Sequence, residues 1–160
     1  MKLIQKETCI VLPDIRSSYN VGSIFRTADA AGVSKIFLVG YTPCPADKFK
    51  RANKEIGKTA LGAEKTVPWE HEDNIFALLA RLKKEGFQII AVEQSEKSVD
   101  YKKATLTEKT VLLFGSEVEG VSPSALNECD VIAEIPMLGK KESLNVSVSV
   151  GAALFRMLDI

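Results

Sequence analysis

The chain has few of the residues on which metal sites and disulfide frameworks depend. It has one histidine, His71, and three cysteines, Cys9, Cys44 and Cys129, which lie far apart. No cysteine pair has the close spacing of a zinc site, and an odd number argues against a disulfide framework. We therefore expect neither a metal site nor a mechanism with a histidine base, and we assign His71 a structural role.

The chain also lacks an excess of one charge and any long apolar run. Its 21 basic side chains balance 21 acidic ones, whereas a protein that binds nucleic acid through overall charge is basic. Any such contact must come from a local patch. No run is long enough to span a membrane, and residues 1–7 lack the apolar core of a secretion signal. We expect one cytoplasmic domain formed by residues 1–160.

Short apolar runs alternate with helical patterns along the chain. Runs without polar alternation are typical of strands buried on both faces, and they cover residues 8–12, 35–39, 87–92, 110–114 and 131–135. Apolar spacing and capping residues predict helices over residues 21–31, 74–85, 122–127 and 145–158. The polar stretch 69–73 is interpreted as a helix start. This order predicts an α/β domain with a mostly parallel sheet flanked by helices.

Ligands of parallel α/β sheets bind beyond the carboxyl ends of the strands, so the loops there contain the candidate site. The first loop enters a helix that contains Asn20, Gly22 and Arg26. In one interpretation, Asn20 caps the helix and Arg26 pairs with Asp29. In the other, Gly22 lets a ligand approach the backbone closely.

The loops after the fourth and fifth strands also allow two interpretations. Gly115-Ser-Glu-Val-Glu-Gly120 is neither a Walker loop nor a dinucleotide fingerprint. Its two carboxylates favour a neutral or cationic ligand over a phosphate. Ser143-Leu-Asn-Val-Ser147 suits the capping of the last helix. Each loop alone is weak evidence for a binding site.

Taken together, the three segments resemble the motifs of the SpoU/TrmH family of RNA ribose 2′-O-methyltransferases, within the SPOUT superfamily. The motifs are Asn20-x-Gly22-x-x-x-Arg26-Thr27-Ala28, Phe114-Gly-Ser-Glu-x-x-Gly120 and Ile135-Pro-Met-x-Gly-x-x-x-Ser-Leu-Asn-Val-Ser147. The third is the most specific, and the resemblance spans roughly residues 9–158.

This resemblance implies a fold, a cofactor and an assembly. Family members thread the C-terminal part of the chain into a trefoil knot. They are typically homodimers that complete the active site across the subunit interface. They transfer a methyl group from S-adenosylmethionine to a ribose 2′-hydroxyl of tRNA or rRNA, without a metal. The implied cofactor-binding positions in this sequence are Gly115, Ile135, Met137, Ser143 and Leu144.

Four positions are implied to be catalytic: Arg26, Asn20, Glu117 and Asn145. Arg26 matches the family's catalytic arginine. Because arginine stays protonated, we interpret its role as positioning and stabilisation of the forming alkoxide, in preference to general-base action. Asn20 is expected to hold Arg26 or the ribose. Glu117 and Asn145 match polar positions near the methyl group and across the dimer.

No separate RNA-recognition domain is expected, because only about eight residues precede the first predicted strand. RNA is then held by the domain's own loops, by the dimer groove or by a partner protein. The basic residues predicted to contact RNA are Lys48, Lys50, Arg51, Lys54, Lys58, Lys140 and Lys141. The alternative for the first five is a solvated helix face.

Three other functions compete with this prediction. They are a SPOUT enzyme that methylates a base, a non-catalytic knotted module that binds RNA, and a generic nucleotide-binding domain. Arg26 together with Asn20 argues against the base methyltransferase. The joint presence of these two residues with Glu117, Ser143 and Asn145 favours catalysis. The missing phosphate loop argues against the nucleotide-binding domain.

Overall fold

The structure is a computed structural model that describes residues 6–160. The strands are β1 Glu7–Pro13, β2 Lys35–Val39, β3 Trp69–Glu72, β4 Gln88–Val92, β5 Val99–Asp100, β6 Lys109–Phe114 and β7 Val131–Glu134. The helices are α1 Ser18–Ala31, α2 Lys54–Ala60, α3 Ala63–Thr66, α4 Ile75–Lys84, α5 Pro123–Asn127 and α6 Val146–Leu158. Tyr101–Lys103 forms a short 3₁₀ turn.

The strands form one sheet in the order β3-β2-β1-β6-β4-β7-β5, and every neighbouring pair is parallel. The predicted parallel sheet flanked by helices is therefore confirmed. Because the strands are parallel, their carboxyl ends lie along the same edge of the sheet, and the three motif loops leave from that edge. The trefoil knot and the single-domain organisation stay predictions.

The interpretation of residues 69–73 as a helix start is wrong. Trp69–Glu72 is strand β3, which lies at the edge of the sheet and pairs with β2. Pairing satisfies the outer backbone groups of β2, and the polar side chains of β3 are accommodated at the edge. The His71 side chain contacts the carbonyl oxygen of Gly40 at 2.9 Å through Nε2. Helices α2 and α3 were not predicted either.

Two apolar cores lie on opposite faces of the sheet. Alternate residues of a strand point to opposite faces, so Ile10 and Leu12 of β1 belong to one core while Cys9 and Val11 belong to the other. Helices α1 and α6 contribute to the first core and α4 and α5 to the second. Burial on both faces explains why the central strands are continuously apolar.

Gly22 brings two helices, α1 and α2, into close contact. A side chain at this position would collide with the hydroxyl of Thr59 and the backbone carbonyl of Ile56. The close approach that Gly22 permits is therefore that of α2, and not that of a ligand as one interpretation of the sequence had it.

Glu70 connects the edge strand β3 to β2 and α4. Its carboxylate lies 2.8 Å from the Lys35 ammonium and 2.6 Å from the Arg81 guanidinium. Burial by itself raises the pKa of Glu70, but hydrogen bonds from these cations outweigh it and hold the pKa at about 2, below the ordinary 4.5.

We expect Glu70→Gln to lower the free energy of unfolding at neutral pH by about 1 kcal/mol, the contribution of partly exposed ion pairs. Because the folded pKa lies below the unfolded one, this stabilisation is present above pH 4.5 and is lost as the pH falls towards 2. Urea unfolding at several pH values measures it. The control is Glu108→Gln, which removes an exposed carboxylate. A difference from wild type that stays constant with falling pH would contradict the assignment.

Candidate active site

Asn20 lies inside the first turn of α1 and does not cap the helix. The N-cap is Ser17, whose hydroxyl accepts a hydrogen bond from the Asn20 backbone N–H at 3.1 Å. The interpretation of Asn20 as a cap is therefore wrong. Its side chain instead donates from Nδ2 to Glu117 Oε1 and accepts at Oδ1 from Asn145 Nδ2 at 3.3 Å. Three of the four predicted catalytic residues thus form one hydrogen-bonded cluster.

Asn145 owes its orientation to the start of α6. It is the N-cap of that helix, and its Oδ1 accepts from the backbone N–H of Ser147 at 2.9 Å and from the Ser147 hydroxyl at 2.6 Å. With its oxygen engaged, the Asn145 side chain presents its NH₂ group to Asn20. The cluster is therefore a directional series of hydrogen bonds that ends at the Glu117 carboxylate.

A cavity of about 510 Å³ adjoins this cluster, within the size range of small-molecule sites. It lies among the segments that follow β4, β6 and β7. Glu117 lines the cavity, so the cavity and the hydrogen-bonded cluster share one side chain. The cavity is also lined by all five predicted cofactor-binding residues, Gly115, Ile135, Met137, Ser143 and Leu144.

The loop after β6 folds back on itself to form one wall of the cavity. The N–H of Gly120 donates to the carbonyl of Ser116 at 2.9 Å. A side chain at Gly115 would collide with the backbone of Gly120 and Val121. Gly120 has a φ of 64°, a conformation that favours glycine. Both glycines of the second motif are thus needed to form this wall.

Glu93 fixes the position of that wall, and the sequence patterns did not mark it. Its Oε2 accepts from the N–H of Val121 at 3.0 Å, and its Oε1 accepts from the N–H of Gln94 at 2.9 Å. The Gln94 side chain in turn donates to the carbonyl of Glu142 at 2.6 Å. Glu93 directly follows β4, so the rule about carboxyl ends would have found it if applied to every strand.

Arg26 lies apart from the cluster, although it is on the same helix as Asn20. Within residues 6–160 it makes no ion pair. The suggested pairing with Asp29 is wrong, because the Asp29 carboxylate accepts a hydrogen bond from the Thr66 hydroxyl at 3.0 Å. Arg26 is exposed and lines a separate hollow together with Ser23, Thr27, Ala30, Lys58, Thr59, Leu61 and Phe155.

The seven basic residues predicted to contact RNA are all exposed. Residues 48, 50 and 51 lie in the loop between β2 and α2, residues 54 and 58 lie on α2, and residues 140 and 141 lie between β7 and α6. The helix-face interpretation is thus wrong for the first three. Arg51 forms an ion pair with Asp47 at 2.7 Å, which leaves the lysines as the more available charges.

The cysteines do not supply a nucleophile. Burial raises the pKa of Cys9 to about 12 and that of Cys129 to about 11, so both thiols are protonated at neutral pH. In the described part of the chain, no group of three or more His, Cys, Asp or Glu side chains could hold a metal ion. Among residues 6–160, no helix has the length and apolar character needed to cross a membrane.

Comparison with known proteins identifies the family. The family model described as "SpoU rRNA Methylase family" matches residues 7–155. The tRNA (guanosine(18)-2′-O)-methyltransferase of Aquifex aeolicus is 36% identical over 151 residues, which are 94% of this chain and 68% of that enzyme. A 23S rRNA (guanosine-2′-O-)-methyltransferase of Neisseria meningitidis is 35% identical over 145 residues, 91% of this chain and 55% of that enzyme.

A solved structure extends these findings. The AdoMet-bound rRNA methyltransferase of Sinorhizobium meliloti superposes with a TM-score of 0.85 and 32% identity, over 97% of this chain and 57% of that one. The chain thus spans little more than half the length of two of these three relatives. Because the family match covers nearly every residue of the chain, this protein belongs to the SpoU rRNA methylase family.

Proposed function

We propose that this protein transfers a methyl group from S-adenosylmethionine to a ribose 2′-hydroxyl of tRNA or rRNA. The observation that carries the proposal is the cluster of Asn20, Glu117 and Asn145, which shares Glu117 with the cavity. The relatives are named as 2′-O-methyltransferases of tRNA and 23S rRNA, which favours the ribose over a base as acceptor. The cytoplasmic location expected from the sequence stays a prediction.

The residues that line the cavity fit S-adenosylmethionine. Among residues 6–160, the lining includes three carboxylates, Glu93, Glu117 and Glu119, and no lysine, arginine or histidine. Such a lining suits a ligand that carries a cationic sulfonium and an amino group, and it disfavours a phosphate. The apolar side chains of Ile135 and Leu144 suit the adenine ring. When bound, this cofactor supplies an electrophilic methyl group.

The protein's own contribution is to position the acceptor and to stabilise the charge that it develops. A 2′-hydroxyl is a poor nucleophile. When its oxygen bonds to the methyl group, the methyl–sulfur bond of the cofactor would break and the hydroxyl proton would pass to water. We assign Asn20 the role of orienting Glu117, because it accepts a hydrogen bond from Asn145 and donates one to Glu117. We assign Arg26, which carries a guanidinium group, the stabilisation of the forming alkoxide. Alignment of the reacting atoms supplies a large part of the acceleration.

We further propose that the protein is a homodimer in which the Arg26 of one subunit completes the cluster of the other. Within one subunit, Arg26 lines a different hollow from the cavity that Glu117 lines. Leu61 and Phe155 surround Arg26 and are 65% and 40% exposed. Apolar side chains that are exposed together suit an interface.

The central test measures the transfer of radiolabelled methyl groups from S-adenosylmethionine to total tRNA and rRNA, followed by nuclease mapping. We expect the wild type to label ribose. Arg26→Ala is expected to lose activity on the order of a hundredfold, the effect of removing one preorganised charge stabiliser. Calorimetric binding of S-adenosylmethionine, expected to be unchanged, controls for folding. Cofactor binding without any RNA labelling by the wild type would instead support the non-catalytic module.

Subunit mixing tests the composite site. Arg26→Ala and Asn145→Ala subunits are unfolded together and refolded as a mixture. If Arg26 acts across a two-fold interface, each mixed dimer has one intact site, and about a quarter of wild-type activity returns. If Arg26 acts within its own subunit, every site keeps one defect and the mixture stays inactive. Light scattering of the wild type at the same concentration measures its oligomeric state.

Glu93→Gln tests the wall of the cavity. The substitution keeps the size of the side chain but removes the charge that strengthens its bonds to Val121 and Gln94. We expect the dissociation constant of S-adenosylmethionine to rise about tenfold, as for loss of one charge-assisted hydrogen bond. The matched control is Glu96→Gln, because Glu96 is exposed nearby and does not line the cavity. Equal cofactor affinity in both variants would show that Glu93 is not needed to hold the wall of the cavity.

A further inference from the structure

An exposed aromatic side chain, Phe49, has two cations close to its ring. It is 66% exposed. Its ring centroid lies 5.1 Å from the Lys48 ammonium nitrogen and 5.1 Å from the central carbon of the Arg51 guanidinium. Both distances fall within the range of cation–π attraction. The ring is therefore held in place by its neighbours while much of its surface remains accessible.

The backbone around Phe49 is preformed. Residues 46–52, which we name the Phe49 hairpin, are closed by a bridge between Ala46 and Ala52. At its tip, Asp47 Oδ1 accepts from the N–H of Phe49 at 2.8 Å and from the N–H of Arg51 at 3.0 Å. Its Oδ2 accepts from Arg51 Nε at 2.7 Å. Because these contacts fix the tip before any ligand arrives, little conformational entropy is lost on binding.

The Phe49 hairpin is also attached to the helix that carries Asn20. Asn53, which follows the hairpin, donates from Nδ2 to the hydroxyl of Ser18 at 3.1 Å. On α2, the hydroxyl of Thr59 donates to the carbonyl of Tyr19 at 2.8 Å. Ser18 and Tyr19 immediately precede Asn20 in the first turn of α1. The ring of Phe49 thus has a fixed position relative to the catalytic cluster.

We propose that Phe49 stacks on an unpaired nucleobase of the RNA substrate, while Lys48 contacts a neighbouring phosphate. The proposal rests on the proposed function and narrows its substrate to RNA that is single-stranded beside the methylated ribose. Proteins that bind single-stranded nucleic acid combine aromatic rings, on which bases stack, with cations that contact the phosphates. Bases inside a duplex are stacked on one another and offer no free face to Phe49. Arg51 is paired with Asp47, so its role is to hold the ring.

The test compares the binding of two fluorescent RNAs, a single strand of about 12 nucleotides and a duplex of the same length, by fluorescence anisotropy. Phe49→Ala is expected to weaken single-strand binding about tenfold, the loss of stacking on one base. Its duplex binding is expected to be unchanged, and Phe49→Trp is expected to restore the single-strand affinity. The matched control is Phe76→Ala, because Phe76 is 46% exposed and its ring has no cation partner among the described residues.

Salt dependence separates stacking from charge. When the logarithm of the affinity is plotted against the logarithm of the salt concentration, the slope is proportional to the number of phosphate contacts. Phe49→Ala is expected to leave this slope unchanged, whereas Lys48→Ala is expected to reduce it. Unchanged single-strand affinity in Phe49→Ala, or an equal loss for strand and duplex, would overturn the stacking role.

Two further measurements keep this inference separate from the proposed function. Calorimetry with S-adenosylmethionine shows whether Phe49→Ala is folded, because the cofactor cavity does not include residue 49. If the wild type methylates RNA while Phe49→Ala keeps full single-strand affinity, the proposed stacking on Phe49 is wrong and the proposed function stands. If the wild type binds the cofactor but methylates no RNA, the proposed function fails, and a loss of single-strand affinity in Phe49→Ala would then assign the stacking to RNA binding without catalysis.

Discussion

The candidate site depends on the hydrogen bond between Asn145 and Asn20, which joins the last helix to the first. This bond has a direction because the start of α6 engages the oxygen of Asn145 through Ser147. The remaining NH₂ group then orients the Asn20 amide, and that amide orients Glu117. Helix capping at Asn145 is a local requirement. It therefore sets the geometry of a cluster in which Asn145 and Asn20 lie 125 residues apart in sequence.

The loop from Gly115 to Gly120 forms one wall of the cavity beside this cluster. This loop can fold back on itself because both of these positions are glycine. A side chain at position 115 would collide with the backbone, and the conformation at position 120 is unfavourable for other residues. Glu93 then accepts a hydrogen bond from the N–H of Val121, where the loop ends. The lining residues that the structure describes include carboxylates and no basic side chain, which gives the cavity the character expected of a site for a cationic ligand.

The sequence predicted the central strands well, because burial on both faces leaves continuous apolar runs. It did not predict β3, whose polar residues form a strand only because β2 offers an unpaired edge. The five implied cofactor positions came from the resemblance to the family motifs, and all five line one cavity. The separation of Arg26 from Asn20 follows from the predicted helix, because residues six apart point in directions about 120° apart around an α-helix. Glu93 was missed because the rule about carboxyl ends was not applied to the strand that it follows.

Gly22 has a mechanical consequence. Without a side chain there, α2 lies against the backbone of α1, and Asn53 and Thr59 add hydrogen bonds between the same two elements. The surface that we assign to recognition and the helix that carries Asn20 therefore move as one rigid block. We therefore expect most of the adjustment of shape on binding to come from the RNA. Selection among RNAs then depends on how readily each one deforms to fit this block, as much as on the contacts it makes once there.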